Sequence, residues 1–124
     1  MVISVRVKGI DETVEKIKAA VFRKVVSLPL GGTFHSTLME PAGKELSEAI
    51  YQTKFNALVC SVFQNVLAKA ETSPNVIKEN LIAQLTAPVR WTQSVKHVSA
   101  DGATEFIEVG PGIVLRGLVK KIRR

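Results

Sequence analysis

Apolar and polar residues follow two different periods along the chain, and these periods predict the secondary structure. Alternation with period two, or a continuous apolar run of strand length, predicts a strand, whereas apolar residues three or four positions apart predict a helix. Strands are predicted over residues 2–8, 24–30, 57–63 and 104–109. Helices are predicted over residues 11–22, 38–52, 76–85, 91–100 and 113–122. Because strands and helices alternate along the chain, we expect an α/β fold with mixed strands.

The apolar run at residues 57–63 (ALVCSVF) differs from the other predicted strands because nearly all of its residues are apolar. Such a run is typical of a strand that is buried on both faces, as in a parallel sheet. Cys60 lies in the middle of it, where a buried and inert thiol is expected. Asn65 follows at the predicted carboxyl end, the edge where open α/β sheets place ligands. The run therefore predicts a core strand with a candidate polar site at its end.

Composition limits the classes of protein to which the chain can belong. At 124 residues, with 46% hydrophobic and 23% charged residues, it has the balance of a globular domain with a core. No apolar run exceeds four residues, far below the roughly 20 needed to span a bilayer. The first residues also lack the pattern of a cleaved leader. Since there is a single cysteine as well, we expect a cytoplasmic protein that does not enter membranes.

The net charge of +6 favours an acidic partner. Basic residues gather near the end of the chain, where they either complement the dipole of the last predicted helix or contact a partner protein. They are Arg116, Lys120, Lys121, Arg123 and Arg124. Nucleic acid is the less favoured partner, because the few aromatic residues are not interleaved with the basic ones.

His35 is the main candidate for chemistry. The stretch FHSTLMEPA (residues 34–42) puts it at the end of an apolar strand and immediately ahead of a helix, which Ser36 or Thr37 is expected to cap. A hydroxyl is a poor nucleophile until a base removes its proton, and imidazole suits this task because it titrates near neutral pH. From this stretch alone, a structural histidine remains the alternative. His97 is the only other histidine, and this spacing predicts no zinc site.

Three motifs in this order resemble the malonyl-CoA:acyl carrier protein transacylases. They are FHSTLMEPA, then QLTAPVRWTQSV (residues 84–95), then EVGPGIVLRGL (residues 108–118). The resemblance implies that residues 1–54 form part of a ferredoxin-like small subdomain (βαβα). It also implies that residues 55–124 form the C-terminal β/α segment of an α/β-hydrolase-like acyltransferase, together with the first part in one compact unit. The family's nucleophilic serine lies in a Gly-x-Ser-x-Gly elbow, and no such pentapeptide occurs in this sequence.

The resemblance also implies roles for single residues. His35 would be the base that activates the serine and then the incoming thiol, and the backbone carbonyl of Gln84 would orient its ring. Phe34 matches the bulky residue that malonyl-selective relatives place against the acyl group. Asn65, from its position after a strand, is the second substrate-binding candidate. From the residues alone, Gln84 is the end of a helix ahead of Pro88, and Phe34 is a core residue. We expect no metal and no bound cofactor.

Two classes of function follow from these observations. The first is the C-terminal part of a malonyl-CoA:acyl carrier protein transacylase, which moves malonyl from malonyl-CoA to the phosphopantetheine thiol of an acyl carrier protein in fatty acid or polyketide biosynthesis. Because the serine is absent, we expect this chain to be inactive alone and to require a nucleophile-bearing chain. The second is a non-catalytic module that binds the carrier protein, assembles with another chain or associates with itself. A basic nucleic-acid-binding domain is a weaker third hypothesis, which rests only on charge.

The glycine-rich loop at residues 110–112 (Gly-Pro-Gly) precedes the last predicted helix. Backbone amides at a helix N-terminus can bind a phosphate, here one of coenzyme A. Most Gly-Pro-Gly sequences are simply turns. The sequence leaves both interpretations open.

Overall fold

The computed structural model describes residues 7–20, 32 and 34–123. These ranges contain five α-helices and a two-stranded sheet, which confirms a mixed α/β architecture. The helices are α1 (Val7–Ala19), α2 (Glu40–Gln52), α3 (Pro74–Ala83), α4 (Trp91–Ala100) and α5 (Val114–Ile122), and the strands are β1 (Val62–Phe63) and β2 (Ala70–Glu71). None of these five helices is long and apolar enough to cross a membrane.

The first helix begins earlier than the sequence predicted. Alternation over residues 2–8 predicted a strand that ends at Gly9, but α1 begins at Val7 and contains Gly9. The physical reason is the spacing of apolar residues, because Ile10 precedes Val14 by four positions and so extends the apolar helical face toward the N-terminus. The rest of that predicted strand lies outside the described residues.

The second helix is confirmed, and a 3₁₀ turn at Thr37–Met39 leads into it. Ser36 stands at the N-cap position of that turn, as one of the two predicted capping residues. Pro41 lies in the first turn of α2, where its missing N–H interrupts no hydrogen bond. The helix ends where the N–H and the hydroxyl of Thr53 both donate to the carbonyl of Ala49, at 3.1 and 2.7 Å.

The sheet is much smaller than predicted. β1 pairs with β2 in antiparallel orientation, with Val62 opposite Glu71. Residues 57–61 form no strand, Val59 is fully exposed and Cys60 is exposed as well, so the predicted doubly buried strand is wrong over this stretch. Burial on both faces requires partner strands on both edges and covering layers, whereas the described part of the chain supplies only β2.

The segment at residues 104–109, predicted as the last strand, forms no strand within the described ranges. It lies beside α5 instead. The Arg123 side chain donates to the carbonyl of Thr104 at 3.1 Å, and the Glu108 carboxylate accepts from backbone amides in the first turn of α5. The strand predicted over residues 24–30 lies outside the described ranges.

The helices predicted over residues 76–85, 91–100 and 113–122 are confirmed, and α2 packs against α3 in one part of the core. Ile50 of α2 and Ile77 of α3 are both buried. Gly43 of α2 faces Leu85, whose Cδ2 would lie 3.5 Å from a Cβ at that position. This core joins elements from either side of the predicted boundary between residues 54 and 55, and the division into two subdomains stays a prediction.

Candidate functional site

His35 lies just ahead of the 3₁₀ turn, and a backbone carbonyl holds its ring. Its Nδ1 lies 2.8 Å from the carbonyl oxygen of Gln84, which is 49 positions later in the chain. Because a carbonyl oxygen can only accept, Nδ1 carries the proton and donates it. In the neutral ring, Nε2 is then the unprotonated nitrogen and can take up a proton. His35 is exposed, so a reactant can approach the ring.

The end of α3 explains why the Gln84 carbonyl is available. Gln84 is the C-cap residue of that helix, and the last carbonyls of an α-helix have no intrahelical donor. The C-terminus of a helix also carries a partial negative charge of about half an elementary charge. A ring whose N–H donates to this carbonyl is held in one orientation. The contact is made by the main chain and does not use the Gln84 side chain.

The backbone of His35 is held in a conformation that costs energy. Its φ is +58°, in the left-handed region, which costs an L-residue roughly 1–2 kcal/mol. Asn, Asp and His are the side-chain-bearing residues that adopt it most often. Strained backbone of this kind concentrates at functional positions, where the surrounding structure enforces it. Here the ring contact with Gln84 is one of the interactions that fix the residue.

Phe34 lies next to His35 and is half-exposed, at 51%. Its ring covers Gly32, because a Cβ at that glycine would lie 3.2 Å from two atoms of the ring. Phe34 is therefore a surface residue of the described structure, contrary to the interpretation of it as a core residue.

Asn65 lies in the turn that follows β1, and its carbonyl accepts a hydrogen bond from the Arg90 N–H at 3.1 Å. Arg90 ends the loop that Gln84 begins. The loop of residues 84–90 is therefore hydrogen-bonded to His35 at one end and to Asn65 at the other. His35 and Asn65 are therefore both hydrogen-bonded to the short connection between α3 and α4.

Three side-chain hydrogen bonds support the turn after β1, and the sequence predicted none of them. Buried Gln64 donates through Nε2 to the carbonyl of Ile77 and accepts through Oε1 from Nδ2 of Asn80, both at 3.0 Å. His97 lies with Nδ1 2.6 Å from the carbonyl of Ala68, a residue that is 1% exposed and has a φ of +54°. The partners are 13 to 29 positions apart, so no local motif reveals them.

The N-terminus of α5 is occupied by a carboxylate of the chain itself. Glu108 accepts from the Leu115 N–H through Oε1 at 3.1 Å and from the Arg116 N–H through Oε2 at 2.9 Å. Both amides lie at the helix N-terminus that follows the loop at residues 110–112, where phosphate binding was one of the two interpretations left open by the sequence. Because Glu108 already uses them, the interpretation of this loop as a plain turn is favoured.

The basic residues of α5 lie along one face of the helix. Arg116, Lys120 and Arg123 line an open depression of about 460 Å³ together with Phe106 and Val119. The Arg123 guanidinium lies 5.0 Å from the centroid of the Phe106 ring, within cation–π range. Across the described ranges, no three His, Cys, Asp or Glu side chains come together as metal ligands.

Comparison with known proteins confirms the family resemblance. The chain is 41% identical over all of its 124 residues to "Malonyl CoA-acyl carrier protein transacylase" of Bacillus subtilis (strain 168), and it covers 39% of that protein. It superposes with a TM-score of 0.87 on MCAT from Streptococcus pneumoniae, with 35% identity, over 94% of this chain and 38% of the other. It also superposes with a TM-score of 0.87, and 33% identity, on a malonyl-transacylase solved in complex with its type II PKS acyl-carrier protein, over 94% of this chain and 38% of that one.

No family model matches the chain. The chain spans about two fifths of the length of the curated relatives that it matches, and it matches a C-terminal part of them.

Proposed function

We propose that this chain, which is homologous to a C-terminal part of malonyl CoA-acyl carrier protein transacylases, supplies the histidine base of such an enzyme. The observation that carries the proposal is the hydrogen bond from His35 Nδ1 to the Gln84 carbonyl at 2.8 Å. It leaves Nε2 as the basic nitrogen of the neutral ring. A base held in one tautomer by a fixed acceptor is what activation of a hydroxyl requires.

The chemistry would run in two matched halves. Nε2 of His35 takes the proton of a serine hydroxyl, the serine oxygen bonds to the thioester carbon of malonyl-CoA, and the coenzyme A sulfur leaves with the proton. In the second half His35 takes the proton of the phosphopantetheine thiol of an acyl carrier protein, and the sulfur bonds to the ester carbon of the malonyl group. The serine oxygen leaves and receives the proton from His35, which restores the free serine hydroxyl and the neutral ring. No Gly-x-Ser-x-Gly elbow occurs in this sequence, so the serine has to come from polypeptide other than these 124 residues. No bound cofactor is needed for either half.

Two further residues are proposed to contact the acyl group. The exposed Phe34 ring stands beside His35, where its bulk would disfavour an acyl chain with an extra methyl branch. One methyl group is worth about 1–3 kcal/mol in such discrimination, so this would be a preference among acyl groups. Asn65 would offer its side-chain amide from the far end of the loop at residues 84–90.

The proposed protein partner is an acyl carrier protein. The depression lined by Arg116, Lys120 and Arg123 would contact its acidic surface, and the net charge of +6 would speed their encounter. A relative has been solved in complex with its acyl-carrier protein. With this function we also propose a cytoplasmic location, and the two-part division of the fold into a ferredoxin-like piece (residues 1–54) and an α/β-hydrolase-like segment (residues 55–124).

The second candidate is a non-catalytic module that binds the carrier protein. The missing serine elbow and the exposed basic depression favour it. The two candidates make different predictions, because the module binds the carrier whether or not His35 is present and transfers nothing.

The test is malonyl transfer by a chimera in which this chain replaces the matching 39% of the Bacillus subtilis relative. The rate of transfer of labelled malonyl from malonyl-CoA to a holo acyl carrier protein is compared for wild type, His35→Ala and His35→Asn. Asparagine tolerates the left-handed backbone and can still donate to Gln84, but it is not a base. We expect both variants to lose at least about 100-fold in rate, while the exposed-site control Tyr51→Asn keeps the wild-type rate.

A His35→Asn chimera that keeps more than a tenth of the wild-type rate would show that His35 is not the base. Carrier binding without transfer by any chimera would favour the non-catalytic module. Transfer by the unmodified 124-residue chain alone, abolished by His35→Ala, would reveal a nucleophile within these residues and overturn the expectation that the chain is inactive alone.

A further inference from the structure

The turn at residues 64–68, hereafter the 64–68 turn, contacts both α3 and the start of α4. It is closed by a hydrogen bond from the Ala68 N–H to the Gln64 carbonyl at 2.9 Å. Gln64 also reaches α3 through its buried side chain. Asn65 accepts from the N–H of Arg90, the residue immediately ahead of α4, at 3.1 Å. The turn therefore fixes the helices on both sides of the loop that holds His35 through Gln84.

His97 adds a second contact between this turn and α4. Its Nδ1 lies 2.6 Å from the carbonyl oxygen of Ala68, which is 29 positions earlier in the chain. Because a carbonyl oxygen can only accept, Nδ1 carries the proton and donates it. His97 is itself exposed, whereas Ala68 is 1% exposed. The ring thus reaches from the surface of α4 to a buried backbone carbonyl, and its donor is the feature that the turn uses.

The carbonyl that His97 reaches belongs to a residue with a strained backbone. The φ of Ala68 is +54°, in the left-handed region that alanine rarely adopts. The cost of this conformation and the net contribution of one hydrogen bond to stability are of similar size. The hydrogen bond from His97 can therefore decide whether the 64–68 turn keeps the observed conformation.

The 64–68 turn also connects His97 with the candidate site, because it contains Asn65. The Ala68 N–H closes the turn around Asn65, so a change of backbone conformation at Ala68 also changes the direction in which Asn65 points. The hydrogen bond between the Asn65 carbonyl and the Arg90 N–H would lengthen or break in the same movement. This bond holds the far end of the loop at residues 84–90.

We propose that His97 is a positioning residue of the candidate site. By donating to the Ala68 carbonyl it fixes the 64–68 turn, and through the turn it fixes Asn65 and the hydrogen bond between Asn65 and Arg90. His97 contacts no reactant and transfers no proton in this role. The effect on the turn follows from these contacts alone, whereas the consequence for malonyl transfer rests on the proposed function.

Two substitutions of His97 separate donation of a hydrogen bond from mere filling of space. In asparagine, Nδ2 has the same place along the side chain as Nδ1 in histidine, so His97→Asn can still donate to the Ala68 carbonyl. Leucine has about the shape of asparagine but carries no donor. It is also a better helix former than histidine, so His97→Leu does not weaken α4 itself. A defect of His97→Leu that His97→Asn does not share therefore reports the lost hydrogen bond.

The first test is amide hydrogen exchange of the 124-residue chain, measured by NMR at the Arg90 and Ala68 amides. In His97→Leu both amides should exchange about tenfold faster, because loss of one hydrogen bond favours local opening by about this factor. In His97→Asn they should stay within about threefold of wild type. The matched control is Gln93→Leu, at an exposed position of the same helix, which should leave both rates unchanged. The amides of α2 are the reference for global stability and should exchange equally in all variants.

Several outcomes of this test would overturn the proposal. One is unchanged exchange of the Arg90 and Ala68 amides in His97→Leu. Another is an equally large effect of His97→Leu and His97→Asn, since donation would then not matter. A third is a matching rise in the exchange of the α2 amides, because His97 would then act on global stability. Should His97→Leu fail to fold, His97→Ala gives the same comparison, since alanine also lacks the donor and favours a helix.

The second test is malonyl transfer by the chimera at a saturating concentration of carrier protein. We expect kcat/KM for malonyl-CoA to fall at least about threefold in His97→Leu and to stay within about twofold of wild type in His97→Asn, because a small displacement of a substrate-contacting group lowers the rate. KM should rise in His97→Leu, whereas a merely structural role would lower kcat with the folded fraction and leave KM unchanged.

Equal kcat/KM values for the wild-type and His97→Leu chimeras would overturn the consequence for transfer. The two proposals can be told apart. A wild-type chimera that transfers no malonyl, together with the expected exchange rates in the isolated chain, would refute the proposed function and keep the role of His97 in fixing the 64–68 turn.

Discussion

The buried pair of Gln64 and Asn80 supports the turn that carries Asn65, and its removal should destabilise the chain by a predictable amount. Asn80 donates through Nδ2 to Gln64 Oε1 at 3.0 Å, and both residues are less than 10% exposed, at 8% and 7%. The perturbation is Asn80→Ala. It deletes the donor and leaves the Gln64 oxygen buried without a partner.

The size of the effect follows from two opposing contributions. An unsatisfied buried acceptor costs about 1–3 kcal/mol, whereas alanine is up to about 0.7 kcal/mol more favourable than asparagine inside a helix such as α3. We therefore expect the free energy of unfolding to fall by about 1–2 kcal/mol. In urea, with an m-value of about 1–2 kcal/mol per molar, the unfolding midpoint should fall by roughly 1 M.

The assay is urea unfolding followed by the fluorescence of Trp91, the single tryptophan of the chain. The matched control is Asn75→Ala, because Asn75 is exposed and lies on the same helix. Its midpoint should stay within about 0.5 kcal/mol of wild type when converted to free energy. Equal shifts for Asn75→Ala and Asn80→Ala would refute the argument.

A double-mutant cycle with Gln64→Ala checks the pairing itself. Gln64→Ala/Asn80→Ala should be less destabilised than the sum of the two single variants, since no acceptor is left orphaned when both partners are gone. Strict additivity would show that the two side chains do not interact in solution.

Two further predictions concern the supports of the site. Ala68→Val should lower the free energy of unfolding by at least about 2 kcal/mol, because a β-branched residue at φ +54° is strained and the position is 1% exposed. The control Ala68→Gly should stay within about 1 kcal/mol of wild type. Equal urea midpoints for the two variants would contradict this prediction. Glu108→Gln should weaken α5 by about 1 kcal/mol, because an amide offers one acceptor oxygen where the carboxylate offers two. Faster hydrogen exchange of the Leu115 and Arg116 amides would report the loss, with exposed Glu105→Gln as the control that leaves them protected.

The helices could be predicted from the sequence because their period is a local property. The helix predicted over residues 91–100 is observed at Trp91–Ala100, and the other predicted helix ends lie within four residues of the observed ones. Strands could not be predicted in the same way. The apolar run at residues 57–63 has the composition of a buried strand, yet only Val62–Phe63 has a strand partner in the described structure.

The candidate site shows the same division between local and distant information. The sequence pattern alone singled out His35, because a histidine between a strand end and a helix start is a local arrangement. The role of Gln84 came from the resemblance, since nothing within a few residues of it points to a partner 49 positions away. The contact of His97 with Ala68 could be predicted neither from the local sequence nor from the resemblance, because it depends on a left-handed backbone in a buried turn.

The two interpretations of Gln84, as the end of a helix and as the carbonyl that orients His35, describe the same structural feature. The sequence alone made it the end of an amphipathic helix, and it is the C-cap residue of α3. A helix end necessarily leaves carbonyls without intrahelical donors and concentrates negative charge on them. An imidazole N–H is a suitable donor for such a carbonyl. The ability of Gln84 to orient His35 therefore follows from the helix ending at this position, and any side chain that still lets the helix end there would keep the orienting carbonyl.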